Sequence, residues 1–269
     1  MRKIAIIGGS GVQESLSLEE VTSELIPTPF GEAKCEIGKI AGNQVVFLAR
    51  HGAGHVLPPH KINYRANMWA LKQLGTEEIL ATTAVGSVNT KITPGTFVVC
   101  DQFLDFTKGR INTFFNGEHG LVAHVDFTEP YCPALRSKLI NTLENLHISY
   151  HGTGCYVCSE GPRYESKAEV KMFAQLGGDV VGMTNIPEVL LAREAEMCYA
   201  NISLVTNMGA GISATPLSHE EVLASMNTMQ EKIVKIFSAF INYAEPIPEE
   251  CSCKHALQDY GGFKLESFR

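Results

Sequence analysis

The feature that most constrains this chain is an alternation of short apolar runs with longer segments of helical periodicity. Runs at 4–7, 45–49, 78–83, 96–101, 154–158, 179–183 and 202–206 are bounded by Gly, Asn or Pro and read as buried strands. Between them, segments 62–74, 133–146, 166–176, 187–198 and 218–243 carry apolar residues at helical spacing. Pro187 stands at the expected first position of its helix, where the missing N–H costs nothing. Ser218-His219-Glu220-Glu221 has the Ser-x-x-Glu pattern of a capping box, so a long helix is expected to begin there. Strands alternating with helices predict one α/β domain over residues 1–245. Residues 246–269, opening with Pro246 and Pro248, read as a loose C-terminal extension.

Hydrophobic residues make up 45% of the 269 and charged residues 19%, below the roughly 25% of a typical globular chain, so a large core is within reach. The net charge of −7 argues against a broad nucleic-acid surface. Met1-Arg2-Lys3 runs into only four apolar residues before Gly8, too few for a secretion signal. No apolar stretch approaches the roughly 20 residues of a membrane span. A soluble, cytoplasmic protein without nucleic-acid or membrane partners is expected. Eight cysteines are too sparse for a secreted disulfide scaffold. Cys155 and Cys158 form a C-x-x-C inside an apparent strand, with no second such pair facing them, so no metal is expected there. Cys251-Ser252-Cys253 reads as two free thiols on a tail in a mesophile, and as a disulfide in a hyperthermophile.

Four segments carry chemistry. Gly8-Gly9-Ser10-Gly11 follows a strand, and its glycines let backbone N–H groups approach an anion while Ser10 adds a hydroxyl. A tight turn explains the segment equally well. The dinucleotide fingerprint fails, because Glu14 stands where its third glycine is required, and no P-loop lysine motif exists. Arg50-His51-Gly52 lies past the end of the 45–49 strand, where ligands of open α/β sheets gather. An arginine there can grip an anion through two parallel hydrogen bonds. His51 and His55 read equally well as polar loop residues. Thr83 and Ala84 close a third strand, and Met183-Thr184 a fourth. The convergence of Ser10, Arg50, Thr83 and Thr184 on one anion-sized site is far more specific than any of them alone.

With these segments in view, the chain resembles the trimeric purine nucleoside phosphorylase and methylthioadenosine phosphorylase family. The matching stretches are Ile6-Ile-Gly-Gly-Ser-Gly11, Ala49-Arg-His-Gly52, Asn63-Tyr-Arg-Ala-Asn-Met-Trp-Ala-Leu-Lys72, Thr82-Thr-Ala-Val-Gly-Ser87, Asp101-Gln-Phe-Leu-Asp105, Glu160-Gly-Pro-Arg-Tyr164 and Gly182-Met-Thr-Asn-Ile-Pro-Glu-Val189. The resemblance implies a mixed β-sheet flanked by helices and a phosphorolysis: phosphate displaces a purine from C1′ of a nucleoside. The phosphate site it implies is Ser10, Arg50, His51, Thr83, the Ala84 backbone and Thr184, with Arg50, His51 and Asn207 in the catalytic set. It further implies no metal or organic cofactor, inorganic phosphate as co-substrate, and a homotrimer or a dimer of trimers. In that assembly His124 reaches the neighbouring subunit's site. Met183, Tyr164, Met208 and Gly209 are expected to line sugar and base.

Three positions depart from the methylthioadenosine branch. Asn207 stands where that branch has aspartate, and an amide can donate to a 6-oxo oxygen while accepting from a protonated N7. Glu165 stands where that branch has serine, and a carboxylate accepts from the N1–H of a 6-oxopurine but opposes the bare N1 of adenine. A solvated glutamate near a helix start is the structural alternative. His219 aligns with the histidine that contacts the ribose 5′-hydroxyl, where the methylthio branch is apolar. Together they imply a 6-oxopurine nucleoside phosphorylase, with a methylthioadenosine or methylthioinosine phosphorylase as the alternative.

Overall fold

The computed structural model describes residues 3–9, 16, 18–52, 54, 56–117, 120–213, 219–243 and 246–268. Its strands are β1 (Ile4–Gly8), β2 (Glu19–Thr28), β3 (Gly31–Ile40), β4 (Asn43–Ala49), β5 (Glu78–Ser87), β6 (Phe97–Val99), β7 (Gln102–Phe106), β8 (Tyr150–His151), β9 (Cys155–Ser159), β10 (Val180–Gly182) and β11 (Cys198–Met208). Five α-helices are interleaved among the described residues: α1 (Tyr64–Gln73), α2 (Pro133–Asn145), α3 (Lys167–Gln175), α4 (Asn185–Glu194) and α5 (His219–Asn242).

The apolar runs become strands because both faces of the sheet are covered. Along β1, Ile4 and Ile6 point into one apolar cluster while Ala5 and Ile7 point into the other. β4 repeats this, with Val45 and Phe47 on the first side and Val46 and Leu48 on the second. Strands buried twice over read as near-continuous hydrophobic runs. Met68 and Trp69 of α1 and Val189 and Leu191 of α4 cover one face. Leu135 and Leu139 of α2 and Ile233 and Phe237 of α5 cover the other.

The sheet runs β2-β3-β4-β1-β5-β10-β9-β7, with β11 also paired to β5 and to β6, and β8 paired to β6. β1, β4, β5 and β11 run parallel, whereas β10 meets β5 antiparallel. The mixed sheet agrees with expectation. The β2–β3 hairpin was not expected: β2 is exposed along nearly its whole length, so no alternation marks it. It carries Pro27, tolerated because β2 is an edge strand.

Ile186 has non-helical dihedrals, so regular helix in α4 begins at Pro187 as anticipated. The capping box expected at Ser218 lies outside the described residues. One is present instead at α3, where Ser166 and Glu169 cap each other's backbone N–H.

Residues 246–268 are not the loose extension expected. Cys253 and Leu257 are buried in the two core clusters, and Phe263 packs 5.5 Å from both Trp69 and Phe114. Glu196, just past α4, accepts the Leu257 N–H at 3.0 Å and the Phe263 N–H at 2.9 Å. The segment holds because these two amides and its apolar side chains all find partners on the domain.

Candidate active site

β5 is the strand on which the site turns. Its first half pairs with β1 as far as Ala81, and its end pairs on that same edge with β10 from Gly86. Residues 82–85 therefore face a gap where the sheet reverses direction, which is where open α/β sheets take ligands. Ala84 is exposed there although Thr82, Thr83 and Val85 are buried around it. The Arg50 N–H donates to the Gly8 carbonyl at 3.0 Å, which brings the end of β4 against the end of β1. Ser10 lies just beyond, outside the described residues.

Arg50 is almost fully buried, and its arrangement corrects the expectation that its fork grips an external anion. Nε and Nη2 donate to Glu188 Oε2 and Oε1 at 2.7 and 2.8 Å, and Nη1 donates to the Thr82 carbonyl at 2.9 Å. A guanidinium removed from water requires such a counter-charge. Burial alone would lower the Arg50 pKa, but the charge and hydrogen bonds of Glu188 outweigh it and hold the group protonated. The Tyr199 hydroxyl also donates to Glu188 Oε1, at 2.7 Å. Three of the five guanidinium N–H groups are taken by these acceptors, and two have no partner among the described residues.

The other expected anion ligands surround this pair. His51 Nδ1 lies 2.8 Å from the Leu57 carbonyl, so in the neutral ring Nδ1 carries the proton. Thr83 Oγ1 is 2.9 Å from Ser203 Oγ and close to Asn201, a hydroxyl network that fixes its rotamer. Thr184 is buried at the N-terminus of α4, yet its hydroxyl makes no capping bond. The Ile186 N–H donates to Cys158 Sγ at 3.4 Å and Pro187 has none, so this turn offers a ligand the Thr184 hydroxyl rather than a row of helix N–H groups.

The base side is built across β9, β10, β5 and β11. Between Val205 and Asn207 the β11 register shifts, a bulge that re-aims the strand end. Asn207 Oδ1 accepts from Thr206 Oγ1 at 2.8 Å and its Nδ2 donates to the Met208 carbonyl at 2.9 Å. Each end of the amide keeps further bonding capacity. A Cβ on Gly86 would stand 3.0 Å from Asn207 Nδ2, so glycine there makes room for the amide. Glu165 is half-buried rather than solvated, and Ser159 Oγ donates to its Oε1 at 2.5 Å. Gly209 serves packing: a Cβ there would stand 3.0 Å from the Ser87 carbonyl and from Val170. Tyr164 is 40% exposed and His124 is exposed on this single chain. His219 begins α5, and its side chain lies outside the described residues.

Two residues escaped the sequence reading. Glu188 hid inside an apolar helix, although a lone acid among Pro-Glu-Val-Leu-Leu is itself a signal, because carboxylates are almost never buried unpaired. Arg110 reaches the carbonyls of Met183, Ile186 and Glu160 at 2.8, 2.6 and 2.7 Å, stapling the Thr184 turn to the segment after β9. Apart from the Glu160 carboxylate at 3.1 Å and the Tyr64 hydroxyl at 3.4 Å, its partners are backbone carbonyls of distant segments, which leave no pattern in sequence.

The chain belongs to the Phosphorylase superfamily, whose profile matches residues 3–242. It is 56% identical over 260 residues to a probable 6-oxopurine nucleoside phosphorylase of Dictyoglomus turgidum, covering 96% of this chain and 97% of that one. It is 52% identical over 269 residues to the 6-oxopurine nucleoside phosphorylase of Pyrococcus furiosus, covering 97% and 100%. Its fold matches methylthioadenosine phosphorylase from Schistosoma mansoni in complex with adenine, with a TM-score of 0.85 at 36% identity over 90% of this chain and 91% of that one.

Proposed function

We propose that the chain is a 6-oxopurine nucleoside phosphorylase, cleaving inosine and guanosine with phosphate to the free base and ribose 1-phosphate in purine salvage. Phosphate is held by Ser10, the two remaining Arg50 N–H groups, His51, Thr83, the Ala84 backbone and the Thr184 end of α4. Carrying negative charge beside C1′, it stabilises the oxocarbenium-like sugar as the glycosidic bond lengthens. The departing purine is stabilised by Asn207, which donates to O6 and accepts from N7–H, while Glu165 accepts from N1–H. His219 contacts the 5′-hydroxyl, and Met183, Tyr164 and Met208 line sugar and base. No metal or organic cofactor takes part in the chemistry. Residues 1–245 form the catalytic unit and the assembly is a homotrimer or a pair of trimers, with His124 contributed to the adjoining site. The protein is placed in the cytoplasm; no helix among the described residues is long and apolar enough to cross a membrane.

The observation that carries this reading is Glu165, half-buried and fixed by Ser159, since a carboxylate accepts from the N1–H of a 6-oxopurine and opposes the bare N1 of adenine, while the Asn207 amide at the β11 bulge can donate to O6. The test is a panel of inosine, guanosine, adenosine, methylthioadenosine and methylthioinosine, each with and without phosphate. Phosphate-dependent release of hypoxanthine and guanine is expected, with little adenine. Faster turnover of methylthioinosine than of inosine would overturn the assignment to His219 and favour the methylthioinosine reading.

A further inference from the structure

The thiols read from sequence as a pair on a tail are part of a larger group. Cys132 at the N-cap of α2, Cys198 at the start of β11, and Cys251 and Cys253 of the C-terminal segment place all four sulfurs within 4.8 Å of one another. Three separate stretches of chain meet here. The Cys132 N–H donates to the Tyr199 carbonyl at 2.8 Å, which fixes the first two ligands side by side. The burial of Ile247 and Leu257 on either side of Cys251-Ser252-Cys253 fixes the other two. We propose that Cys132, Cys198, Cys251 and Cys253 form a tetrathiolate site for one zinc ion, which fastens the C-terminal segment to the sheet.

The spacing decides between an ion and a disulfide. Cys251 Sγ lies 3.5 Å from Cys132 Sγ and 3.7 Å from Cys198 Sγ. A zinc–sulfur distance of about 2.3 Å in a tetrahedron gives an edge of about 3.8 Å. A disulfide would bring one pair to about 2.05 Å, whereas all four thiols, Cys251 and Cys253 included, are free, and Cys251 stands almost evenly between Cys132 and Cys198. Cys132, Cys198 and Cys253 are buried and Cys251 is half-buried, the closed surroundings of a structural site with no open position for catalysis. Four soft thiolates in this arrangement select zinc over hard cations.

Charge is also provided for. Binding releases the thiol protons and leaves a centre of net charge −2. Arg193 lies close enough to Cys253, and Lys254 to Cys198, for their positive charges to be felt. The C-x-x-C of β9 does not join: Cys158 is buried beside Ile186, and Cys155 is on the same strand.

The test is metal content by mass spectrometry on full-length protein purified under reducing conditions without chelator. One zinc per chain is expected, falling to none in a Cys251→Ser/Cys253→Ser variant that retains its phosphorolysis rate at moderate temperature. Stripping zinc from the wild type should lower its thermal midpoint to that of the variant. Should the variant fail to fold, cobalt added to stripped wild type gives a second readout, the intense sulfur-to-cobalt absorption of a tetrathiolate. Absence of metal with an intact mass light by two hydrogens per bridge would overturn the proposal in favour of disulfides. Absence of metal with all eight thiols titrating on denaturation would overturn it in favour of plain buried cysteines, and iron in place of zinc would overturn the choice of ion.

Discussion

Arg50 neutralises Glu188 and is proposed to hold phosphate with the same guanidinium, and variants can separate the two roles. Arg50→Ala leaves Glu188 buried without its counter-charge, so it should lose about 3–5 kcal/mol of stability as well as phosphate affinity. Arg50→Met with Glu188→Leu removes both charges; urea unfolding should show most of that stability regained, while the phosphate KM stays raised. An ordinary phosphate KM in the double variant would mean that the anion is held elsewhere. Asn207 and Glu165 are proposed to contact one base, so their effects should not add simply. Asn207→Asp with Glu165→Ser should lower kcat/KM for inosine by about 10- to 150-fold, the equivalent of roughly 1–3 kcal/mol, and raise it for adenosine. Unchanged preference in steady-state assays would move discrimination to other residues. At this scale the sequence points to a residue wherever its type is itself the proposed chemistry, as with the Asn207 amide. It hid residues whose meaning lies in a remote partner. Arg50 read as an open clamp because Glu188, 138 positions away, does not announce itself in the chain.

Among the elements, visibility followed burial. β1, β4, β5 and β11 are covered on both faces and stood out as apolar runs, whereas β2 buries only Ile26 and left no period to read. α3 was legible from its spacing, though its cap was not singled out. That cap carries a pH signature. The hydrogen bond from Arg163, then those from the Ser166 backbone and hydroxyl, hold Glu169 down to about 2. The unfolded chain therefore binds more protons than the folded one between about 4.5 and 2. The stabilisation is present above the ordinary carboxylate value and is lost as pH falls through that window. Because the pair is largely solvated, it should amount to no more than about 1 kcal/mol. Urea midpoints from pH 6 to pH 2 should fall less steeply for Glu169→Gln than for wild type; parallel profiles would show that the ion pair contributes nothing.

At the scale of the molecule, the C-terminal segment behaves as part of the domain. Its hold rests on Glu196, whose two oxygens each accept one amide of that segment. Glu196→Ala should lower the thermal midpoint and expose the tail to limited proteolysis between residues 246 and 268, with phosphorolysis preserved at moderate temperature. Equal resistance to protease would show that the aromatic contacts of Phe263 suffice. The gap along residues 82–85 of β5 has a different kind of consequence. It is made by the order and direction of strands, so substitution of a side chain at its rim does not close it. Asn207 sits on a bulge and Glu165 in a connecting segment, outside the ladders that define the gap. On the proposed reading, the base accepted can therefore change through a few rim positions while the strand ends that frame the anion stay where the ladders put them.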